Sequence, residues 1–349
     1  MFLIFLIGTN LVNAASPDFP AGSAKKKEFV RTFPAGHGTE IQIDNRFGNI
    51  AVEHWAKDGV EMRVVIESKA DNERTAEQNM EKVSVDITSD KNRIKAVTRT
   101  DKFEQRDKER VTVNYTLLVP DYVRLSLMQK FGNIDVSGTH AGESDLSVKF
   151  GNIAGENFTA PLTVNSEFSN VKLGNLADAV LGLRHSGKVV IGDAGQVKAD
   201  SQFSNLKTGA LQSIKLTVRH GEGKIASCND LALDAQFSNI SVARLAQSAD
   251  VQALAHSNLD VSNVATGFSQ IKIKTKFGNT KLRLAPETSF SLKAHASFGN
   301  VSWESAFKPD NKNWVEKGST KDIECNFNGG RTGEIVFDGN FGSLDIKKL

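Results

Sequence analysis

The sequence predicts an all-β protein whose main part is a right-handed parallel β-solenoid with coils of 17 to 21 residues. The main observation is a short repeated motif, in which an aromatic residue is followed by Gly or Ser, then usually Asn and an apolar residue. Between residues 131 and 298 its first positions are Phe131, Phe150, Phe168, His185, Phe203, His220, Phe237, His256, Phe277 and Phe298, with an earlier copy at Phe47 and a late echo at Phe341. A fixed period of this length indicates a repeat architecture. Short runs of alternating apolar residues, and a composition with 28 Gly but only 7 Pro, are typical of many strands joined by tight turns.

Each position of the motif has an expected structural role. Gly or Ser followed by Asn suits a corner, because Gly adopts positive φ freely and Asn tolerates it best among the other residues. In a parallel stack, equivalent residues lie about 4.8 Å apart, so Asn side chains can hydrogen-bond along a column and aromatic rings can stack. The Asn column comprises Asn133, Asn152, Asn170, Asn205, Asn239, Asn258, Asn279 and Asn300. We expect the aromatic column to face the core, so that Phe203→Ala and Phe237→Ala are strongly destabilising.

A parallel stack is predicted because one repeat cannot bury its apolar face alone. A typical unit is Leu146 to Ile153, in which alternating apolar residues lead into the motif. A left-handed hexapeptide coil would need a regular turn of three equal parts, whereas this period drifts between 17 and 21 residues. The right-handed form is therefore favoured, over residues 121–349.

The N-terminal region is predicted to carry a targeting segment and a linker. Residues 1–15 begin with an apolar run and end in small residues, which is typical of a signal peptide cleaved near Ala14 or Ala15. No basic residue precedes the run, so the alternatives are a start that is internal to a longer signal and a retained anchor. The run is shorter than the about 20 residues that cross a bilayer, and we expect no transmembrane span in the mature chain. Residues 16–27, with Pro, Gly and consecutive Lys, are predicted to be a linker.

Residues 28–120 are predicted to form a β-rich cap at the N-terminal end of the repeats, with one short helix. The helix is expected between Ala70 and Lys82, where helix-forming residues are frequent. Near the other end the period fails, and residues 303–322 are predicted to be a loop inserted into the array. The final charged residues are expected to protect the exposed end of the array from pairing with other chains.

The cysteines and histidines do not indicate a cofactor or metal. Cys228 and Cys325 lie about five repeats apart, far beyond the roughly 7 Å reach of a disulfide, so two unpaired thiols are expected. The repeat histidines His185, His220 and His256 occur in alternate units, which places them about 9.6 Å apart, too far to share a zinc ion. We interpret them as planar substitutes for Phe.

Charge argues against a nucleic-acid partner, because 43 basic residues nearly balance 41 acidic ones. The position before the aromatic residue carries five basic side chains and one acidic. The residues are Lys130, Lys149, Glu167, Arg184, Gln202, Arg219, Gln236, Ala255, Lys276 and Ser297. This mildly basic stripe could meet acidic polysaccharide or lipid head groups, although a solvated face is the commoner explanation of such a column.

The repeated Phe-Gly-Asn-Ile, the apolar N-terminal run and a β-rich leader ending in Leu118-Val119-Pro120 resemble the bacterial "putative adhesin" family of unknown function, related to auto-transporter-adhesin-like head domains. The resemblance covers residues 30–349, and the wide segment after Trp303 departs from it. It implies an exported single-chain right-handed β-helix without an established enzymatic activity.

We therefore predict an exported, non-catalytic, adhesin-like binding or structural module of the cell envelope, located in the periplasm, on the outer surface or in the medium. The alternative is a polysaccharide-acting enzyme of the β-helix type. Such an enzyme needs acidic residues clustered on one face, whereas the acidic residues of this chain occupy different positions in successive repeats. Envelope polysaccharide or another surface protein is the expected kind of partner. Specificity should lie where the period fails, at Trp303, Trp314, Lys308 and Lys312, because exposed aromatics with cations suit sugars and acidic surfaces. Both rings could equally cover the last coils.

Overall fold

The computed structural model describes residues 23–101 and 109–349. The strands before the repeats are β1 (Ser23–Phe33), β2 (Glu40–Asn45), β3 (Ile50–His54), β4 (Val60–Ala70), β5 (Val83–Ser89), β6 (Arg93–Thr100) and β7 (Arg110–Val119), with helix α1 (Glu73–Glu81) between β4 and β5. The next are β8 (Arg124–Gln129), β9 (Ile134–His140), β10 (Ser144–Lys149), β11 (Asn152–Phe158), β12 (Leu162–Glu167), β13 (Asn170–Leu173), β14 (Ala179–Arg184), β15 (Val189–Val190) and β16 (Ala194–Gln202).

Three long strands occupy the middle of the chain, and shorter strands follow them to the C-terminus. The long strands are β17 (Asn205–Arg219), β18 (Glu222–Gln236) and β19 (Asn239–Ala255). The remainder are β20 (Asn258–Val264), β21 (Gln270–Lys276), β22 (Asn279–Leu284), β23 (Phe290–Ser297), β24 (Asn300–Trp303), β25 (Pro309–Lys317), β26 (Thr320–Phe327), β27 (Gly333–Asn340) and β28 (Ser343–Lys348). The predicted all-β class is confirmed, with 69 % strand and 3 % helix.

The prediction of a right-handed parallel β-solenoid is wrong. In residues 23–101 and 109–349 the strands form one 28-stranded sheet of mixed orientation that is nearly closed on itself. Antiparallel pairs enter it at both ends of the chain, as β1–β4, β4–β7 and β5–β6 and as β23–β26 and β25–β26. The strands also depart from chain order, because β27 lies between β21 and β23 and β28 lies between β22 and β24. The motif defines where strands end, and it does not specify the orientation or order of the strands outside the regular repeats.

Within this sheet the repeats form two rows of parallel strands. The first row runs through β2, β8, β10, β12, β14 and β16, and the second through β3, β9, β11, β13 and β15. Each long strand β17, β18 and β19 begins in the second row and ends in the first. Since β2–β8 and β3–β9 pair directly, residues 28–120 share the sheet with residues 121–349.

The core is built from apolar residues at equivalent positions of successive strands. In the first row one such column is Leu127, Leu146, Val164, Leu181, Ala199, Leu216, Leu233, Val251 and Ile273, all buried. In the second row the apolar residue after the Asn position takes the same role, as in Ile134, Ile153 and Val171. The period-2 alternation therefore turns one side of each strand inward and leaves the other side polar.

The corner between the rows differs from the one that the motif predicts. Positive φ falls on the glycine only in the first two copies, at Gly48 and Gly132. From Phe150 onward the aromatic residue itself adopts φ between 48° and 59°, in the left-handed region. For a residue with a Cβ atom this conformation costs about 1–2 kcal/mol, so the chain retains a bulky ring where Gly or Asn would be less strained.

The small residue after the ring is required by the close approach of neighbouring strands. A Cβ atom on Gly151 would overlap the backbone oxygen of Gly132. Where serine occupies this position, its hydroxyl forms a hydrogen bond with the backbone of the neighbouring layer. Ser169 Oγ accepts from the Gly151 N–H at 3.2 Å and donates to the Glu167 carbonyl at 2.7 Å.

Gly151→Ala is expected to lower the free energy of unfolding by roughly 1–3 kcal/mol, the usual cost of overpacking. Gly36→Ala is the matched control, because no heavy atom lies within 4 Å of a Cβ atom built there. Urea unfolding of the three proteins measures the difference. Equal midpoints for Gly151→Ala and wild type would contradict the proposed overlap.

The short helix predicted between residues 70 and 82 is confirmed as α1. The side chain of Asn72 accepts a hydrogen bond from the Thr75 N–H at 2.9 Å and so caps the N-terminus. Ala76 is fully buried on the inner face of the helix. In the described ranges no helix combines the length and the apolar character needed to cross a membrane.

Two predicted segments differ in their boundaries. The signal peptide (residues 1–15) lies outside the described residues, as does most of the predicted linker (residues 16–27). The last five linker residues belong to β1, which pairs in antiparallel register with β4 from Ser23 onward. The predicted loop at 303–322 contains instead the hairpin strand β25 and the start of β26. Both segments gain backbone partners from distant strands, which local composition does not specify.

The prediction of two unpaired thiols is confirmed, since Cys228 and Cys325 are both free and buried. Burial raises the pKa of the Cys228 thiol to about 12. The thiolate is the reactive form of cysteine, so Cys228 is a core residue without nucleophilic character at neutral pH.

Candidate functional site

The most distinctive surface is a continuous stack of rings, which we call the aromatic ladder. In spatial order its members are Phe47, Phe131, Phe150, Phe168, His185, Phe203, His220, Phe237, His256, Phe277, Phe341 and Phe298. Successive centroids lie 4.8 to 5.4 Å apart, and successive planes differ by at most 13°. The ten predicted column positions all belong to it. Phe47 extends the ladder, and Phe341 enters between Phe277 and Phe298 because β27 lies between β21 and β23.

The ladder faces solvent, so the expectation that its phenylalanines fill the core is wrong. Phe203 is 53 % exposed and Phe237 is 55 % exposed. The residue two positions earlier, such as Val148 before Phe150, occupies the core instead. The chain then turns at the left-handed corner and the ring points outward. An aromatic residue is compatible with a buried or an exposed position, so the sequence alone does not say which way the ring points. The path of the backbone at the corner decides it.

Stacking determines which part of each ring is available to a partner. Neighbouring rings cover one another's faces, so every ring between the two ends of the ladder presents its edge to solvent. The edge of an aromatic ring carries partial positive charge and the face partial negative charge. The exposed surface is therefore an apolar ridge of C–H edges, and it lacks the open ring faces on which a sugar ring or a base could stack.

A row of asparagine amides runs beside the aromatic ladder. Asn152 Nδ2 donates to Asn133 Oδ1 at 3.0 Å, and Asn170 Nδ2 donates to Asn152 Oδ1 at 3.0 Å. The same pattern joins Asn258 to Asn239 at 2.9 Å and Asn279 to Asn258 at 3.2 Å. Asn205 donates instead to the Gly187 carbonyl at 3.3 Å, and Lys321 Nζ donates to Asn300 at 3.0 Å. These amides hydrogen-bond to other groups of the protein, and most of these hydrogen bonds join one layer to the next.

The ladder histidines are each placed between two phenylalanines. His220, for example, lies 4.8 Å from Phe203 and 5.0 Å from Phe237, between ring centroids. Phenylalanine offers no ligand to a metal ion. Among the described residues, no three His, Cys, Asp or Glu side chains lie together in a way that could hold a metal. The stacking geometry matches the role of histidine as a planar substitute for Phe.

Basic side chains flank one side of the ladder, directly before the rings. The ladder positions are preceded by Arg46, Lys130, Lys149, Arg184, Arg219 and Lys276, with Glu167 the one acidic member. Lys130 Nζ lies 5.6 Å from the centroid of Phe131, and Lys149 Nζ lies 5.4 Å from that of Phe150. Lys149 also pairs with Glu167 at 2.8 Å. We call this set the basic flank, and it adjoins an apolar ridge.

The second predicted binding region, around Trp303 and Trp314, is partly occupied by its own residues. Both rings are half-buried and pack against the core, with Trp303 5.5 Å from Phe327 and 6.0 Å from Trp314. Lys312 Nζ lies 4.2 Å from the centroid of Trp314, over its ring. Lys308 is exposed nearby on the same hairpin. A partner site at these residues stays a prediction.

Sequence reasoning missed a pair of histidines between β3 and β9. His54 Nε2 and His140 Nδ1 lie 2.9 Å apart, and their rings stack at 5.1 Å. A hydrogen bond between two imidazole nitrogens requires one donor and one acceptor, so the contact holds one proton. Burial lowers the pKa of His140 to about 4 and also lowers the pKa of His54. An open cleft of about 760 Å³ lies beside His54.

A signal for this pair was present in the repeat. His140 pairs with Phe158 in the next layer, and Phe158 pairs with Leu176 in the layer after that. A histidine at a position that is otherwise apolar is unusual. The pairing with His54 depends on the contact between β3 and β9, which spans 86 residues of sequence.

Comparison with known proteins adds a set of distant likenesses. No family model matches the chain, and no curated protein matches it. Among solved structures, a putative adhesin from Parabacteroides distasonis ATCC 8503 is 10 % identical, covering 74 % of this chain and 93 % of its own, with a TM-score of 0.32. A putative adhesin from Bacteroides fragilis NCTC 9343 is 12 % identical, covering 93 % and 97 %, with a TM-score of 0.28.

A third solved structure carries a different name. It is a putative lipid binding protein from Parabacteroides distasonis ATCC 8503, 9 % identical, covering 91 % of this chain and 96 % of its own, with a TM-score of 0.26. Likenesses at these identities and TM-scores assign the chain to no family.

Proposed function

We propose that this protein is a non-catalytic, adhesin-like binding module of the cell envelope, and that it binds its partner through the aromatic ladder. The observation that carries the proposal is the exposure of a continuous row of stacked rings, which are held at positive φ from Phe150 onward. Eleven spacings of 4.8 to 5.4 Å make the ladder roughly 50 Å long. Soluble monomers rarely expose a contiguous apolar surface beyond a few hundred Å², and larger patches mark interaction sites.

Stability does not explain why the rings are there. Each ring from Phe150 onward carries a left-handed strain of about 1–2 kcal/mol, and each stacked pair contributes about 0.5–1.5 kcal/mol beyond area burial. With one stacked pair per ring, the two effects nearly cancel. Gly or Asn at the same corner would avoid the strain without exposing apolar surface. The rings are therefore better explained by what their exposed edges contact.

The alternative function, a polysaccharide-acting enzyme of the β-helix type, lacks support. Acid–base catalysis needs titratable groups gathered in one site. In the described part of the chain two groups come closest to this. One is the His54–His140 pair, whose pKa shifts follow mainly from burial. The other is His295, whose ring nitrogens lie 2.7 Å from Asp322 Oδ1 and 3.3 Å from Ser297 Oγ, but the His295 and Asp322 side chains are 49 % and 60 % exposed, so solvent screens their contact. Export to the envelope remains part of the proposal.

The test compares two triple variants with the wild-type protein. Phe168→Asn, Phe203→Asn and Phe237→Asn together remove three central rings and place at each corner a residue that tolerates positive φ. Val30→Thr, Val180→Thr and Val315→Thr remove three exposed apolar side chains outside the ladder. We expect wild type and the valine variant to sediment with isolated bacterial envelope fragments. The ladder variant should stay in the supernatant while still folded, with a melting temperature lowered by the loss of six stacked pairs and only partly restored by relief of strain at the three corners.

Two results would contradict this function. A ladder variant that sediments as well as wild type would show that the ladder is not the binding surface. Release of products from a panel of acidic and neutral glycans would show that the protein is an enzyme.

A further inference from the structure

We propose that the partner of the aromatic ladder is the surface of an anionic lipid bilayer. This inference rests on the function proposed above and names the chemistry of its partner. It follows from three features of the ladder, namely which part of the rings is exposed, which charges flank them, and where on the sheet they stand.

The exposed part of the rings suits hydrocarbon. Because each ring covers the face of its neighbour, the ladder offers C–H edges along its whole length. These edges can enter the boundary between lipid head groups and acyl chains, where partly buried apolar side chains of surface-bound proteins lie. A polysaccharide would need free ring faces for stacking, and every ring between the two ends of the ladder has a neighbouring ring on each face.

The flanking charges suit anionic head groups. The basic flank has six cations and one carboxylate, whereas the whole chain has 43 basic and 41 acidic residues. The cations therefore gather beside the apolar ridge more than composition alone explains. Lys130 and Lys149 hold their ammonium groups 5.6 and 5.4 Å from ring centroids of the ladder, so charge and apolar edge reach the same surface. Basic residues that adjoin inserted apolar side chains strengthen binding to anionic lipids.

The position of the rings suits a flat partner. Every ring stands at a corner between two successive strands, where the chain passes from the first row to the second. The corners follow one another along one ridge, with successive ring planes within 13° of each other. A second copy of this chain is a less suitable occupant, because two ladders in contact would bring two basic flanks into one interface, where like charges repel.

Vesicle flotation with the full chain tests the proposal. The probes are phosphatidylcholine vesicles and mixed phosphatidylcholine–phosphatidylglycerol vesicles. We expect wild type to float with the mixed vesicles only, and to be released at about 1 M salt, where the Debye length falls to about 3 Å. The ladder variant Phe168→Asn, Phe203→Asn, Phe237→Asn should lose binding, and the valine variant should keep it.

A charge variant with a matched control separates the basic flank from overall charge. Arg184→Gln with Arg219→Gln should weaken binding to mixed vesicles by about tenfold to thirtyfold, given the usual contribution of a basic residue near an anionic surface. Lys198→Gln with Lys215→Gln removes the same charge from the same outer face, about 13 Å along the strands from the flank, and should leave affinity unchanged. Equal losses in both pairs would overturn the role of the flank.

The remaining outcomes distinguish this inference from the function on which it rests. Sedimentation with envelope fragments but no flotation with mixed vesicles would overturn the lipid partner and leave the ladder as a binding surface. Ladder-dependent self-association or retention on a glycan column, without vesicle binding, would overturn it in favour of a second copy or a polysaccharide. Failure in both sedimentation and flotation would overturn the lipid partner and the proposed function together.

Discussion

Phe290→Ala is expected to lower the free energy of unfolding by about 3–5 kcal/mol, the range for a buried Phe truncated to Ala. Phe290 has no exposed surface, and its ring stacks on Phe327 at 4.5 Å and meets Phe307 edge-on at 6.3 Å. The cavity left by the ring lies among residues fixed on both sides by β26 and β27. Equilibrium unfolding in urea, followed by circular dichroism, measures the loss.

Phe203→Ala is the matched control from the aromatic ladder. Its ring is half-exposed and stacks on His185 at 4.9 Å and on His220 at 4.8 Å. We expect a loss of about 1–2 kcal/mol, since each stacked pair contributes about 0.5–1.5 kcal/mol. Equal losses of unfolding free energy for Phe203→Ala and Phe290→Ala would mean that a ladder ring stabilises the protein as much as a core ring does. That result would contradict the proposed role of the ladder as a binding surface.

Acidification from pH 7 to pH 4 is expected to remove about 3 kcal/mol of stability through His140. The pKa of His140 is about 4 in the folded protein, against 6.5 for an unperturbed histidine, chiefly because burial disfavours the charged ring. The unfolded chain therefore binds this proton first as the pH falls. The stabilisation from the neutral ring is fully present above pH 6.5 and is lost progressively down to about pH 4. Asp121 opposes the shift by favouring the charged ring, and its effect is smaller than that of burial.

His140→Phe should remove most of this dependence, and the neighbouring layer already accommodates a phenylalanine at the equivalent position, Phe158. Urea midpoints between pH 7 and pH 4 should fall less steeply for this variant than for wild type. His185→Phe, on the exposed ladder between Phe168 and Phe203, is the control and should leave the wild-type slope intact. An unchanged slope in His140→Phe would show that carboxylates elsewhere cause the acid sensitivity.

Sequence periodicity predicted the local structure of the chain well. Alternation of apolar residues located the strands that line the core, such as Leu146 to Lys149 in β10. Helix-forming composition located α1, and the repeat distance between Cys228 and Cys325 excluded a disulfide. These features depend on a few consecutive residues or on a constant spacing. They can therefore be predicted from the sequence without knowing which strands pair.

The direction in which the rings of the candidate site point could not be derived in the same way. The motif identified the ten repeat positions of the ladder, but a Phe before a corner is compatible with a buried or an exposed ring. The path of the corner decided between them, with positive φ on the ring residue in Phe150 and later copies and on glycine at Gly48 and Gly132. Both kinds of corner turn the ring outward, since Phe131 is exposed like the later rings. The His54–His140 pair was likewise invisible, because its members belong to β3 and β9 and meet only through strand pairing.

By itself the sequence determined that this protein is all-β, repeats a corner motif every 17 to 21 residues and buries alternate side chains. Only the tertiary structure decided that the strands form one nearly closed sheet of mixed orientation, that β27 and β28 enter between earlier strands, and that the aromatic ladder faces solvent. The physical reason is that a strand's hydrogen-bonding groups accept a parallel or an antiparallel partner from any part of the chain. Local patterns fix which face of a strand is apolar, and the choice of its neighbours depends on the packing of the whole sheet.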